Sequence, residues 1–124
     1  MAVVDISQLE TMTSGDAALA AEAIGIFRQS ADLWGRMLDA HTDPDHWADA
    51  AHAIKGAARS VGAMPLGDAC EVAEKLGRSG EATRASAGVA ISTIKDRLGE
   101  ALEALAHVEH QLIMKRTFVG VRLE

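Results

Sequence analysis

The sequence predicts an all-α protein, an antiparallel up-down four-helix bundle with a short extra helix at its N-terminus. Three observations predict it. Apolar residues recur at three- and four-residue spacing through most of the 124 positions, the period of one helix face. Hydrophobic residues make up 48% of the chain but aromatics only 3%, so the core is built from Ala, Leu, Ile, Val and Met, which suits closely packed helices better than sheets. Breaks rich in Gly, Pro, Ser and Asp are only a few residues long, and short connections force antiparallel neighbours.

The elements follow in order. Val4, Ile6, Leu9 and Met12 carry helical spacing for one or two turns. Ser14-Gly15-Asp16 is a break and a helix start, with Ser14 able to cap and Asp16 placed well against the helix dipole. The next helix is expected from Asp16 to His41, with Leu19, Ala20, Ala23, Ile24, Phe27, Ala31, Trp34 and Leu38 inward. Gly25 and Gly35 lie inside it and are read as permitting close helix approach. Asp43-Pro44 is the clearest start signal, an N-cap followed by proline at the first helical position. That helix runs to Val61, and Gly62 ends it. Met64-Pro65 opens another, with Leu66, Ala69, Cys70, Ala73, Leu76 and Gly77 inward and Asp68, Glu71, Glu74, Lys75 and Arg78 on the wet side. The last helix is expected from Glu81 to Leu112, its inner edge formed by Ala87, Ile91, Ile94, Leu98, Leu102, Leu105 and Val108. Residues 1–112 are read as one domain. Residues 113–124 break the pattern at Thr117, Phe118, Val119 and Val121 and are read as a tail, with disorder, local packing and vector-derived residues all open.

Composition excludes several classes of function. A formal net charge of −6 argues against a general nucleic-acid binder, which needs a basic face. No apolar run reaches the roughly 20 residues that cross a bilayer, and residues 1–9 lack the basic start and apolar stretch of a signal peptide. The single cysteine, Cys70, cannot form an internal disulfide, and the expected setting is reducing and cytoplasmic. Gly-rich phosphate loops and zinc spacings are absent from the sequence, so no ATP site of its own is expected.

The stretch from His52 to Gly62 stands apart. At about 100° per residue, Trp47, Ala51, Ile54, Ala58 and Val61 cluster on the side a bundle buries. His52, Lys55, Gly56 and Arg59 fall on the opposite side, within a quarter-turn of His52. An outward imidazole with Lys55 at +3 and Arg59 at +7 suits phosphoryl chemistry. Two cations favour a neutral, nucleophilic ring and stabilise negative charge on a group attached to it. Gly56 removes bulk one turn away and lets another protein approach. The bland readings are solvated charges for Lys55 and Arg59, and chance for Gly56. The other candidates are weaker. His107 and His110 share a face but have no matching ligand cluster. His41 and His46 flank a helix start. Asp49 with His52 is half of a di-iron pattern whose second half is missing. Glu71 with Glu74 reads as a solvated face, and Cys70 as a small buried hydrophobe.

These residues resemble a family. His52-x-x-Lys55-Gly56, with Gly62 ten positions after the histidine, is similar to the signature of histidine-containing phosphotransfer domains. Ala51, Ala57-Ala58, Leu66-x-x-x-Cys70-x-x-x-Glu74 and Gly77-Arg78 agree with it, as do the stretch from Asp5 to Leu9, the start at Ser14-Gly15-Asp16, and Phe27, so the resemblance spans residues 5–105. Arg59 departs from it, standing where the family often has a small or polar residue. The resemblance implies a phosphorelay intermediate, not an enzyme with its own turnover. His52 would accept a phosphoryl group on Nε2 from a receiver-domain aspartate, such as that of a hybrid histidine kinase, and pass it to another response-regulator receiver. Lys55 would contact the phosphoryl oxygens, Gly56 would leave room for the partner, and Arg59 would add phosphoryl stabilisation on geometry alone. Magnesium would be held by the receiver, leaving this chain without a cofactor. The apolar rim offered to a receiver is expected on the exposed parts of the second and third helices. One chain supplies all four helices, so a monomer is expected. Three alternatives remain: a docking module that takes no phosphate, the dimerisation region of a sensor kinase (which usually has a proline soon after the histidine, absent here), and a metal-binding bundle.

Overall fold

The structure, a computed structural model, describes residues 2–123 and is all-helical among them. Met1 of the expected domain and Glu124 of the expected tail lie outside the described residues. Five helices follow in order: α1 (Ile6–Met12), α2 (Ala17–Met37), α3 (Pro44–Ser60), α4 (Met64–Arg78) and α5 (Arg84–Lys115). The four long helices form the antiparallel bundle. α3 packs most extensively on α4, α5 packs on both α4 and α2, and α1 lies against α3 and α2.

Local chemistry sets the helix ends. Asp16 caps α2, its carboxylate accepting from the Leu19 N–H at 3.0 Å. Ser14 does not cap; it and Gly15 take left-handed φ values of 54° and 73° and turn the chain between α1 and α2. α2 stops at Met37, short of His41, because Leu38 leaves the helical region (ψ 78°) and buries its side chain. Asp39 then accepts from the His41 N–H at 2.9 Å, a local bond that competes with continued helix. Asp43 caps α3 by accepting from Asp45 N–H at 2.9 Å, with Pro44 in the first turn. α5 begins at Arg84, later than Glu81, because Thr83 and Ser86 form a capping box there. It runs on to Lys115 and ends at Arg116, which is left-handed.

Two glycines fix how the His52 helix sits. Gly62 has φ +81° and terminates α3 in a Schellman arrangement, with Ala63 N–H bonded to Ala58 O at 2.8 Å and Gly62 N–H to Arg59 O at 3.4 Å. A Cβ on Gly62 would stand 2.3 Å from Asp5 O, where the Asp5 N–H donates back to Gly62 O at 2.7 Å. Gly77 lets α4 close on α3: a Cβ there would stand 2.7 Å from Ala48 Cβ and 3.0 Å from Pro44 O. The interior glycines of α2 do not serve close approach. Gly35 faces open space, and a Cβ on Gly25 would meet only the end of the Glu109 side chain, at 3.4 Å.

The core is one cluster. Trp47, Ala51, Ile54 and Ala58 of α3 are fully buried against Leu66, Cys70 and Ala73 of α4 and the Ile94–Leu105–Val108 edge of α5. Each such aliphatic side chain is worth roughly 1.5–3 kcal/mol of burial. Leu19, expected inward, is 47% exposed, because the inner stripe of α2 runs through Ala17, Ala20, Ile24, Phe27 and Ala31 instead. Residues 113–115 belong to α5, and the chain after Arg116 folds back on that helix. The Gln111 side-chain amide donates to Arg122 O at 2.5 Å and accepts from Arg122 N–H at 3.1 Å, and Lys115 Nζ donates to Gly120 O at 3.0 Å. Phe118, Val121 and Leu123 pack partly against the core.

Candidate functional site

The fully buried positions of α3 set the rotation of the helix. With Trp47, Ala51, Ile54 and Ala58 inward, His52 must point out, and its side chain is 65% exposed. The ring is nevertheless held in one orientation. Its Nδ1 lies 2.8 Å from Oε2 of Glu74 on α4. A carboxylate only accepts, so Nδ1 carries a proton, and in the neutral ring Nε2 is the nitrogen with the free lone pair. Nε2 has no hydrogen-bond partner among the described residues.

Glu74 also joins the histidine to Lys55. Lys55 Nζ donates to Glu74 Oε1 at 2.6 Å, and both side chains are largely buried (19% and 17% exposed). The Lys55 hydrogen bond, more than any other contact, holds the Glu74 carboxyl below the usual carboxylate range; the hydrogen bond from His52 adds to this, and partial burial opposes it. Glu74 is therefore not part of a solvated face with Glu71. The contact spans 22 positions and two helices, which the α4 pattern alone does not display. A signal was present in the spacing: Glu74 follows buried Cys70 by four and precedes buried Gly77 by three, so it rides the edge of the inner stripe.

The remaining candidates fall around this triad. Gly56 is exposed, and a Cβ on it would meet nothing within 4 Å, so no internal packing requires glycine there. Arg59 is drawn onto α4. Its stem lies over Gly67, where a Cβ would stand 3.0 Å from Arg59 Cγ, and its guanidinium lies 3.6 Å from Asp68 and 3.5 Å from Glu71. The charged group nearest the imidazole is thus a carboxylate, and both expected cations are engaged by acids of α4. Asp49 pairs with Arg78 at 2.5 Å instead of with His52, and Asp45 joins the same guanidinium at 3.3 Å. Cys70 lies buried beneath the site, and burial pushes its thiol up to about 12. Among the described residues, no three His, Cys, Asp or Glu side chains converge as a metal site, including around His107 and His110. No helix among them is long and apolar enough to cross a membrane.

The family model for the Hpt domain matches residues 8–108. The chain belongs to the Hpt family. Among solved structures, this Hpt domain is similar to the histidine phosphotransferase ShpA from Caulobacter crescentus, with 35% sequence identity and a TM-score of 0.69 over 92% of this chain and 97% of that one. No curated protein matches the chain. The four-helix bundle with its short N-terminal helix is the Hpt fold, and the protein is a phosphorelay intermediate that carries a phosphoryl group on a histidine.

Proposed function

We propose that His52 is the histidine that carries the phosphoryl group, on Nε2, between receiver domains of response regulators and of a hybrid histidine kinase. The observation that carries this reading is the bond from Nδ1 to Glu74 on a ring that remains 65% exposed. In the transfer step the Nε2 lone pair attacks the phosphorus of a receiver's aspartyl phosphate. The Nε2–P bond forms, the P–O bond to the aspartate breaks, and the aspartate leaves as a carboxylate. Nδ1 keeps its proton, so the ring becomes cationic, and Glu74 faces that charge. Lys55 spends one N–H on Glu74 and has others for the phosphoryl oxygens. Arg59, held at Asp68 and Glu71, acts on the phosphoryl group only if it exchanges those partners. The magnesium ion belongs to the receiver, and the chain acts as a phosphocarrier without an ATP site or turnover of its own. The cytoplasm, where receivers reside, is its setting, and one chain is the working unit. The bundle, through the end of α5 at Lys115, is the functional domain.

The surface around His52 supports a receiver as the partner. Ile26, Leu33 and Met37 are 58%, 55% and 38% exposed and form one stripe along α2. Gly25, Arg28 and Asp32 border α5, so the stripe lies on the flank of α2 beside α3. There it continues into the exposed small residues Ala53, Gly56 and Ser60, next to His52. An apolar patch with a small-residue floor and a nucleophile at its edge suits a protein that must bring its own aspartate to the ring. The test is incubation with a receiver carrying a labelled aspartyl phosphate. Label that is acid-labile and base-stable should appear on the wild-type chain and be absent from His52→Gln; equal labelling of both would end the proposal.

A further inference from the structure

α2 carries two apolar repeats, and the bundle uses one of them. Ala17, Ala20, Ile24, Phe27 and Ala31 are buried in the core. On the water side Leu19, Ala23, Ile26, Ser30, Leu33 and Met37 follow one another at alternating steps of four and three residues. That is the 3.5-residue repeat of a coiled-coil seam, which a single helix cannot bury by itself. Leu19, Ile26, Leu33 and Met37 are exposed, and Ala23 and Ser30 are half-buried between them. From Leu19 to Met37 the seam spans about 27 Å of helix. On the α3 wall beside it, the exposed Ala53, Gly56 and Ser60 add no bulk that would hold a second helix away.

The seam and its flank are complementary to themselves when one copy is reversed against another. An antiparallel copy pairs Leu19 with Met37, Ala23 with Leu33 and Ile26 with Ser30, so the inner layers set a large side chain against a small one. The outer flank carries Glu22, Gln29 and Arg36 at seven-residue intervals, an acid, a neutral amide and a base. Reversal sets Glu22 of each copy opposite Arg36 of the other, and Gln29 opposite itself. A parallel copy would instead bring like charges level with each other. Neither charge is taken up within the chain: Glu22 and Arg36 are exposed and form no ion pair among the described residues, whereas Arg28 of the same helix is paired with Glu109. We propose that α2 pairs antiparallel with α2 of a second copy of this chain, about a two-fold axis level with Arg28 and Gln29. The pair covers Ile26, Leu33 and Met37, so a second copy and a docked receiver compete for one surface, and the monomer is the form that transfers. That competition rests on the phosphorelay reading; the pairing does not.

Sedimentation of the full chain from about 10 μM to about 1 mM, the range of weak association, measures the pairing with no receiver present. The expected result is a monomer–dimer equilibrium. Glu22→Arg and Arg36→Glu, both surface changes, should keep the helical circular dichroism and each weaken the dimer by about tenfold. An equimolar mixture of the two variants should restore it, because one copy then carries two bases and the other two acids along the paired flank. Gln29→Cys should be joined copy to copy by a short bismaleimide, and Val89→Cys, on the exposed side of α5, should not; the native Cys70 is buried. A monomer at every concentration would overturn the proposal. So would a dimer indifferent to the charge reversals, a mixture no stronger than either variant, or cross-linking through Val89→Cys in place of Gln29→Cys. Transfer from a labelled receiver should rise less than proportionally with chain concentration as the dimer fills; proportional transfer beside a measured dimer would overturn the competition and leave the pairing.

Discussion

Replacing Glu74 by Gln removes one charge and changes little else in volume. In the native site, Oε2 takes the Nδ1–H of His52 at 2.8 Å and Oε1 takes Lys55 Nζ at 2.6 Å. The amide has a single carbonyl oxygen, so one of these two donors must face an NH₂ group. The carboxylate lies about 4 Å from the centre of the charge that develops on the imidazole during transfer. At that distance a unit pair is worth about 1 kcal/mol in water and about 4 kcal/mol at a protein surface. The ring is 65% exposed, so the lower part of that range applies, about 1–2 kcal/mol. The rate constant for taking a phosphoryl group from a receiver should therefore fall by roughly 5- to 30-fold. Rapid-quench transfer from a labelled receiver measures this, at receiver concentrations that separate binding from the chemical step. The ¹⁵N shifts of the His52 ring supply a second reading, since the variant should lose the preference for Nδ1–H. The fold should survive, because the network lies at the edge of the core. A rate within twofold of wild type, with an unchanged tautomer, would refute the reasoning. The Glu74 carboxyl is held low in the folded state, so the stability it contributes is present above its unfolded value of about 4.3. That contribution is lost as pH falls through the lower folded value. The stability gap between wild type and Glu74→Gln should thus be widest near neutral pH and close in acid.

Other changes separate docking, packing and reactivity. Gly56→Ala should stabilise the free protein by about 0.5–1 kcal/mol in urea unfolding, since its methyl meets nothing within 4 Å, and should yet slow transfer from a receiver; a stabilised variant with full transfer rate would remove the clearance role. Gly77→Ala should destabilise by about 1–3 kcal/mol, because its methyl would stand 2.7 Å from Ala48 Cβ and 3.0 Å from Pro44 O; an unchanged urea midpoint would contradict the α3–α4 packing. Cys70, with its thiol pushed up to about 12, should resist a disulfide reagent at pH 8 until the protein is denatured; stoichiometric labelling of the native protein would show that the thiol is not buried as described.

The fold was legible because its signals are local. Asp43-Pro44 and Gly62 mark the two ends of α3 through capping and left-handed backbone, and both stand where the sequence places them. The burial of Ile54 and Ala58, and with it the outward turn of His52, follows from helical period alone. Helix ends set by competing turns were less visible. α2 stops at Met37 because Leu38 turns inward and Asp39 bonds to His41, although the apolar period continues through Leu38. α5 starts at Arg84 because the Thr83–Ser86 capping box outcompetes the earlier Ser79-Gly80-Glu81 turn as a helix start. Gly25 and Gly35 misled because a glycine inside a helix reads the same whether a neighbour approaches it or solvent does. The site was half legible. His52, Lys55 and Gly56 share one helix face and can be read together. Glu74 and the acids that engage Arg59 come from another helix, and pairing across helices depends on register that periodicity does not carry. The fold-back of residues 117–123 rests on Gln111 and Lys115 bonding to backbone, which leaves no mark on hydrophobic period.

In the proposed relay step, His52 receives the phosphoryl group on Nε2 while Nδ1 stays bonded to Glu74. The most direct measurement is ³¹P-coupled NMR of the protein trapped in its phosphorylated state, with the ring nitrogens labelled with ¹⁵N. The expected result is one phosphorus resonance coupled to Nε2 of His52, with Nδ1 still protonated. Coupling to Nδ1, or a phosphoryl group on any of the other four histidines, would contradict it.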